Sequence, residues 1–350
     1  MKKAMPVLIL ALVAAVFAGL ACAEEITVWP EDFTRSNALL GNMTLDPVDE
    51  TYLSYWEECE QPGTVVPLEY DTYFYALDAK NGDALSHETP VTKTAYVYLP
   101  YGYDETKEYD ILYLMHGMGL DEGSWFSMIN NNDRAELGQG TAVHLLDNMI
   151  ANGDMKPCII VTPTFYTLPD QRVSRSVPLM SLIDGFALEL PQLMEAVEST
   201  YSTYAADTTR DAFIASRDHR GFAGLSMGAM TTWQVAVAKN LDIFGWIGTM
   251  SSGAFPDAED NPGYFTDTLV PALKAAKENG WPLHMLLNFN GTTDMLIECH
   301  VTLHNCFLDY MAQDDYLVAG ENYDFVLTGG PHSWDYWDLY LYDMMPVFFK

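Results

Sequence analysis

The chain has 350 residues, of which 49% are hydrophobic, and its formal net charge at pH 7 is −32. The length suits one large domain with an extension, and the apolar fraction is ample for a sizeable core. The strong negative charge disfavours nucleic acids and anionic membranes as partners, because such a surface repels them. Composition therefore argues against nucleic-acid and anionic-membrane partners but does not identify the fold.

Residues 1–23 have the pattern of a secretory signal peptide. Two lysines precede an apolar run that ends at Leu20, and Ala21-Cys22-Ala23 is typical of a cleavage site. The run is too short to predict a membrane span. Cys22 also permits a lipoprotein, but Gly19 stands where such signals usually carry a large aliphatic residue. We expect a secreted protein with no membrane partner after cleavage, and lipid anchoring is the less favoured alternative.

The rest of the chain divides into an N-terminal extension and one domain. Residues 24–63 are acidic and aromatic without a clear period, and we interpret them as an extension. Residues 64–350 alternate between strand and helix patterns and are expected to form the domain. Strands are predicted at Thr64–Leu77, Thr94–Leu99, Asp110–His116, Cys158–Val161, the apolar run before Ser226, Phe244–Met250, His284–Phe289 and Tyr323–Leu327. Helices are predicted at Thr141–Asn152, Ala187–Tyr204, Met230–Ala238, Tyr264–Asn279, Met295–Met311 and Trp334–Phe349.

Strands that alternate with helices predict an α/β fold, in which a mainly parallel sheet is covered by helices on both faces. The apolar run at 110–116 is typical of a strand buried on both faces. Residues 164–186 are predicted to form a long connection. The helix that follows contains Pro191, which we place near the helix start, where proline is tolerated.

The segment Gly224-Leu225-Ser226-Met227-Gly228 matches the pattern G-x-S-x-G between a predicted strand and a predicted helix. In that context the pattern is typical of a nucleophile elbow, a sharp turn that presents a serine hydroxyl at the sheet edge. Glycines are needed at both ends because side chains there would collide with a neighbouring strand or helix. The alternative is a buried serine in a glycine-rich turn. We predict that Ser226 is a nucleophile.

An activated serine needs a base, and in this type of fold the base follows the serine in the chain. His332 lies in a Gly-Gly-Pro-His loop after the last predicted strand, at the carboxyl edge where such sheets place their sites. His219 is closer in sequence, but it lies at the opposite end of the strand that leads to Ser226. His284 opens its own strand and should also point to the opposite edge. His332 is therefore the predicted base, with a surface-loop histidine as the alternative.

The base needs an orienting acid, and Asp294 follows the strand predicted at 284–289. Its carboxylate would accept a hydrogen bond from the imidazole and stabilise the imidazolium. Asp257, Asp260 and Asp267 lie in or after the preceding loop and are weaker candidates. The alternative role for Asp294 is a cap at the start of the next helix.

The oxyanion of an acyl-transfer intermediate needs two backbone donors. The N–H of Met227 is predicted to be one, because it follows the nucleophile directly. The second should come from the loop after the strand at 110–116, where we favour the N–H of Met118 over that of Gly119.

No metal or cofactor is predicted. His300 and His304 have a spacing that could hold a metal, but the H-E-x-x-H arrangement is absent, and a solvated helix face is the favoured interpretation. Four cysteines follow the signal, and their pairing cannot be deduced from sequence. If Cys299 and Cys306 share a helix, they are about 10 Å apart and too far to bridge.

Several motifs together resemble one known family. They are YVYLPYGYD (96–104), ILYLMHGMGLDEGSW (111–125), IASRDHRGFAGLSMGAMTTW (214–233), NGTTD (290–294) and GGPHSWDYWDLYLYDMMPVFF (329–349). Over about residues 64–350 the chain resembles carbohydrate esterase family 1, an α/β-hydrolase family that includes feruloyl and acetyl xylan esterases, esterase D and mycolyltransferases. The resemblance implies an α/β-hydrolase fold with Ser226, Asp294 and His332 as the triad. Pro331 and the loop Met118-Gly119-Leu120 depart from the family's more glycine-rich pattern.

The resemblance implies a secreted serine esterase that releases feruloyl groups from plant xylan through an acyl-enzyme. The partner is then a plant polysaccharide or a small aryl or acyl ester. Alternatives are an acetyl xylan esterase, an acyltransferase of the same fold, and a polysaccharide-binding relative without activity. Candidates for stacking on a phenolic acyl group or a sugar are Trp125, Phe165, Tyr166 and Trp334, with core packing as the alternative for each.

Overall fold

The computed structural model describes residues 49–75, 89–129, 133–168, 171–174, 177–252 and 263–350. The strands of its main sheet are β1 (Thr64–Tyr73), β2 (Pro90–Leu99), β3 (Asp110–Met115), β6 (Cys158–Thr162), β7 (Arg220–Leu225), β8 (Trp246–Met250), β9 (Met285–Gly291) and β10 (Tyr323–Thr328). Two short strands, β4 (Met128–Ile129) and β5 (Asp133–Arg134), pair separately. The predicted signal peptide and residues 24–48 lie outside the described residues.

The main sheet has the order β1-β2-β6-β3-β7-β8-β9-β10. β2 pairs antiparallel with both β1 and β6, and every other neighbouring pair in this sheet is parallel. The α/β fold with a mostly parallel sheet is therefore confirmed. Because parallel strands run in one direction, the carboxyl ends of β6, β3, β7, β8, β9 and β10 lie along one edge of the sheet.

Helices cover both faces of the sheet and bury separate apolar clusters. The helices are α1 (Glu50–Ser54), α2 (Ser124–Ser127), α3 (Thr141–Asn152), α4 (Gln171–Ser174), α5 (Leu179–Thr200), α6 (Arg210–Ala215), α7 (Met227–Thr231), α8 (Ala238–Asn240), α9 (Val270–Glu278), α10 (Ile297–Met311) and α11 (Trp334–Met344). π-helical turns at Thr232–Val237 and Phe265–Leu269 lead into α8 and α9. One cluster includes apolar residues of α5, α9 and α10, and the other includes those of α3 and α11. All residues of β3, β7, β8 and β9 are buried, as strands covered on both faces must be.

Helix α5 starts eight residues earlier than the sequence predicts, so the placement of Pro191 near a helix start was wrong. Pro191 lies inside a helix of 22 residues. Leu182, Ile183 and Phe186 lie in the segment whose composition predicts a connecting loop. They form one apolar face with Leu190, and all four residues are buried. Burial of this continuous face offsets the hydrogen bond that the proline cannot donate.

The end of the N-terminal extension packs on the domain. Asp49 accepts hydrogen bonds from the N–H groups of Thr51 and Tyr52 and so caps α1. The side chain of Tyr52 is fully buried, and its hydroxyl donates to the carbonyl of Asp335 in α11. The N–H of Gly63 donates to the carboxylate of Asp147 in α3 at 2.8 Å. Residues 49–63 therefore cover the face formed by α3 and α11.

An ion pair is buried at the amino end of β7. Arg220 donates to both carboxylate oxygens of Glu198, at 2.8 and 2.7 Å, and the two side chains are 1% and 0% exposed. The same carboxylate accepts from the hydroxyl of Tyr113. Removal of one partner would leave a buried charge without its counterion.

We expect Arg220→Met to lower the free energy of unfolding by about 3–5 kcal/mol, because Glu198 would remain buried and unpaired. Urea unfolding monitored by circular dichroism measures this change. The control is Arg210→Met, because Arg210 pairs with Asp242 while 50% of its side chain stays exposed. The control should cost about 1 kcal/mol or less. Equal losses in the two variants would contradict the assigned role of burial.

Candidate active site

Ser226 occupies a strained turn between β7 and α7. Its backbone has φ 52° and ψ −117°, in a region that non-glycine residues rarely adopt. A Cβ atom on Gly224 would lie 2.5 Å from the backbone of Gly228, and one on Gly228 would lie 2.5 Å from the carbonyl oxygens of Met115 and His116. Only glycine fits at either position, because Gly224 faces the backbone of Gly228 and Gly228 packs against the end of β3.

The N–H of Ser226 donates to the carbonyl of Met250 at 2.9 Å, so the turn continues the pairing of β7 with β8. Ser226 is partly exposed, although β7 and α7 on either side of it are buried. The strained residue, Ser226, is therefore also the one that is accessible at the carboxyl edge of the sheet.

Asp294 and His332 form a hydrogen-bonded pair at the same edge. Asp294 follows β9, His332 follows β10, and Nδ1 of the histidine lies 2.9 and 3.1 Å from the two carboxylate oxygens. The carboxylate is fully buried, whereas 14% of the histidine side chain is exposed. Because Nδ1 donates to the carboxylate, Nε2 of the neutral ring is left to accept a proton.

Burial alone would raise the pKa of the Asp294 carboxyl, but several interactions with its ionised form outweigh burial. These are the hydrogen bond and charge of His332, the N–H of Leu296, which donates at 2.8 Å, and the hydroxyl of Ser251. The pKa of Asp294 therefore lies below its usual value. The carboxylate stays charged at neutral pH and can stabilise an imidazolium.

The loop after β3 lies beside Ser226. A Cβ atom on Gly117 would stand only 3.2 Å from that of Ser226. The N–H of Gly119 donates to the hydroxyl of Tyr166 at 3.0 Å, so this predicted donor is engaged. Among the described residues, none accepts a hydrogen bond from the N–H of Met118 or of Met227. These two groups, the pair favoured from the sequence, remain available to an oxyanion.

Two of the four aromatic residues predicted to stack on substrate are core residues instead. Trp125 is 0% exposed and Trp334 is 1% exposed, and their rings pack edge to face at 5.2 Å. The indole N–H of Trp125 donates to the carbonyl of Met115. Neither ring offers a face to a ligand, so the prediction was wrong for both. Both residues lie in the helical layer that packs on the sheet, and composition alone does not show that this layer buries them.

The other two predicted aromatics, Phe165 and Tyr166, lie in the connection after β6. Phe165 is 2% exposed and packs on the rings of His116 and Tyr166. Tyr166 contributes to the wall of an apolar cavity of about 170 Å³, whose other lining residues are Met118, Gln171, Arg172, Val177, Pro178, Leu179 and Leu182. It also lines a polar cavity of about 310 Å³ next to Asp121 and Glu122. Tyr166 is therefore the predicted aromatic that borders open space at this edge.

Three other histidines lie at the amino edge of the sheet or within the core. His219 bonds Asp110 at the start of β3, and His284 bonds Asp218, so both lie at the amino edge as predicted. His300 is 1% exposed, and Nδ1 donates to the carbonyl of Ser252. The predicted solvated helix face was therefore wrong at His300, because α10 turns this residue into the core. In the part of the chain that the structure describes, no group of three or more histidine, cysteine, aspartate or glutamate residues could hold a metal.

Of the weaker acid candidates, Asp267 lies in a π-helical turn away from β9, and 257 and 260 fall outside the described residues. The four cysteines of the described residues are free thiols, and Cys299 and Cys306 share α10 as expected.

Sequence reasoning missed Ser251, which directly follows β8 and has φ 52°. Its position at the carboxyl end of a parallel strand was the signal that could have identified it.

A model of the protein family described as "Putative esterase" matches residues 86–348. Endo-1,4-beta-xylanase Y of Acetivibrio thermocellus is 32% identical over 300 residues, which is 85% of this chain and 24% of that protein. The endo-1,4-beta-xylanase/feruloyl esterase of Xylanibacter ruminicola is 29% identical over 218 residues, which is 59% of this chain and 27% of that protein. The chain thus spans about a quarter of the length of these curated relatives.

Solved structures give a similar result. A serine-to-alanine mutant of the feruloyl esterase module from Clostridium thermocellum, complexed with sinapinate, has a TM-score of 0.66 and 28% identity, with 88% of this chain and 94% of that chain covered. The ferulic acid esterase of the anaerobic fungus Anaeromyces mucronatus has a TM-score of 0.58 and 18% identity, with 88% and 98% covered. The second likeness concerns the fold alone.

We expect Gly228→Ala to abolish esterase activity, because the added methyl would displace the turn that carries Ser226 from β3. Gly329→Ala is the matched control, because a Cβ atom there meets nothing within 4 Å although the residue lies in the loop of His332. Hydrolysis of p-nitrophenyl acetate measures both. An active Gly228→Ala variant would contradict the steric account.

Burial lowers the pKa of His300 to about 4, so the folded state resists a proton that the unfolded chain accepts below about pH 6.5. The histidine therefore removes stability as the pH falls from about 6.5 to 4, by up to about 1.4 kcal/mol per pH unit. His300→Asn keeps a donor for the carbonyl of Ser252 and does not titrate. We expect wild type to lose stability relative to this variant in urea unfolding at pH 7, 5.5 and 4.5. A constant difference across these pH values would refute the prediction.

Proposed function

The chain belongs to the esterase family that matches residues 86–348, and from that premise we propose that it is a serine esterase that hydrolyses hydroxycinnamoyl esters of plant xylan. The hydrogen bond between Asp294 and His332, at the sheet edge where Ser226 stands in its strained turn, is the observation that carries the proposal. Serine, acid and histidine then follow the chain order expected for this fold.

In the proposed reaction, Oγ of Ser226 attacks the ester carbonyl while Nε2 of His332 takes the hydroxyl proton. Asp294 holds the imidazole through Nδ1 and stabilises the charge that the ring acquires. The tetrahedral oxyanion accepts hydrogen bonds from the N–H groups of Met118 and Met227, each worth roughly 3 kcal/mol in the transition state. His332 then delivers the proton to the leaving alkoxide, and an acyl-enzyme remains on Ser226.

Water completes the proposed cycle. His332, again neutral, takes a proton from a water molecule that attacks the acyl carbonyl, and Ser226 Oγ leaves with that proton. The mechanism needs no cofactor, since the charges that develop are met by backbone N–H groups and by Asp294.

Two observations favour an aromatic acyl group. The apolar cavity next to Met118 is lined mainly by hydrophobic side chains, including Leu179 and Leu182, and is larger than an acetyl group requires. The C. thermocellum module with 28% identity is a feruloyl esterase complexed with sinapinate, and the curated relatives are xylanases or a xylanase/feruloyl esterase. A plant polysaccharide that bears aryl esters is accordingly the proposed partner.

We further propose export, on the signal-peptide pattern of residues 1–23. Among the described residues, no helix is long and apolar enough to cross a membrane, and the pattern itself lies outside them. Mass spectrometry of protein recovered from the culture medium would test the proposal, because cleavage is expected before Glu24.

We expect Ser226→Ala to reduce kcat/KM for methyl ferulate by at least about 10³-fold, because the residual rate would come from binding and the oxyanion donors alone. Ser199→Ala, on the exposed side of α5, should be unaffected. Spectrophotometric assays with methyl ferulate and with acetylated xylan, run in parallel, measure activity and acyl preference. Full activity of Ser226→Ala would refute the mechanism, and a preference for acetylated xylan would replace the proposed acyl group by acetyl.

A further inference from the structure

Ser251 is a buried residue whose backbone holds a strained conformation one strand away from the nucleophile. It follows β8, its N–H donates to the carbonyl of Phe289 at 2.8 Å, and it is 0% exposed. Its φ of 52° lies in the left-handed region, which disfavours a residue with a Cβ atom. Strain of this kind persists only where the surroundings enforce it, and it concentrates at functional sites.

The hydroxyl of Ser251 connects α11 to the buried carboxylate. The indole Nε1–H of Trp337 donates to Oγ of Ser251 at 2.9 Å, so the serine hydrogen is free to donate elsewhere. The same hydroxyl is one of the groups that lower the pKa of the Asp294 carboxyl. The imidazole of His332 and the N–H of Leu296 donate hydrogen bonds to this carboxylate.

Trp337 also touches the histidine itself. Its ring packs against the imidazole of His332 at a centroid distance of 4.9 Å, with the two planes perpendicular. The indole also packs edge to face on Trp334, at a centroid distance of 5.3 Å, and Trp337 is 6% exposed. Trp337 thus contacts both Ser251 and His332, and both of these residues lower the pKa of Asp294.

We propose that Ser251 and Trp337 are positioning residues for the reaction: the hydroxyl of Ser251 donates to the carboxylate of Asp294, and the indole of Trp337 fixes the ring plane of His332. His332 lies in a loop, so its orientation depends on its neighbours more than a helical side chain would. The serine occupies a carboxylate lone pair and stops the carboxyl group from turning, and the indole wall limits rotation of the imidazole. Neither residue touches the substrate. The inference rests on the proposed function, because only an esterase reaction would use this orientation.

Ser251→Ala tests the hydroxyl alone, because alanine keeps the Cβ atom and the same backbone demand. Without the donated hydrogen, the carboxylate of Asp294 is free to turn away from Nδ1 of His332. We expect kcat/KM for methyl ferulate to fall about tenfold, with the loss in kcat and with KM unchanged.

Trp337→Phe keeps an aromatic ring against His332 and removes the N–H that bonds Ser251. We expect a smaller loss of kcat, and little further loss when it is combined with Ser251→Ala, because the indole N–H acts through the serine. The matched controls are Trp246→Phe and Ser216→Ala, whose part-buried hydrogen bonds lie at the amino edge of the sheet. Both controls should cost stability and leave kcat unchanged.

A second measurement does not depend on catalysis. The imidazole NMR signals of His332, assigned with His332→Gln, should change position in Ser251→Ala and keep their wild-type positions in Ser216→Ala. If no variant or wild type hydrolyses an ester, the proposed function fails, while the NMR comparison still tests the contacts. A folded Ser251→Ala enzyme with kcat/KM within twofold of wild type and unchanged His332 signals would overturn the inference, as would fully additive losses in the double variant.

Discussion

The parallel pairing of strands β7 to β10 is the constraint on which the rest of the structure depends. Parallel neighbours place their carboxyl ends at one edge, so the residues that follow each strand meet there, however far apart they lie in sequence. Ser226, Ser251, Asp294 and His332 follow four consecutive strands of this sheet in order. The helices on both faces bury the side chains of the strands and so hold the strands in register. The loops at the carboxyl edge are therefore anchored to a rigid sheet.

A buried carboxylate is the electrostatic counterpart of this geometry. Asp294 is excluded from water, and burial by itself would favour its neutral form. The hydrogen bonds from His332 and Leu296, the nearby hydroxyl of Ser251 and the charge of the imidazole together reverse that preference. The fold thus supplies in advance the environment that an imidazolium would need, so little reorganisation is required during proton transfer.

Burial also decides the roles of several residues that could not be assigned from the sequence. Trp125 and Trp334 were candidates for stacking on a ligand, but they pack on each other in the apolar cluster that includes residues of α3 and α11. His300 had the spacing of a metal ligand but enters the core, and Pro191 had the appearance of a helix start but lies within α5. In each case the deciding term was the burial of apolar surface between elements distant in sequence, which a local pattern does not contain.

The sequence by itself determined the class of fold, the bounds of α3 and the turn at Ser226. These depend on local periodicity and on glycines that no other residue can replace. It also placed Asp294 and His332 after the correct strands, because their positions follow from chain order and strand direction. Only the tertiary structure decided which aromatics border a cavity, which oxyanion-loop N–H is engaged, and that Ser251 and Trp337 contact the acid and base. Those properties depend on distances across the sheet edge, set by the packing of helices on both faces.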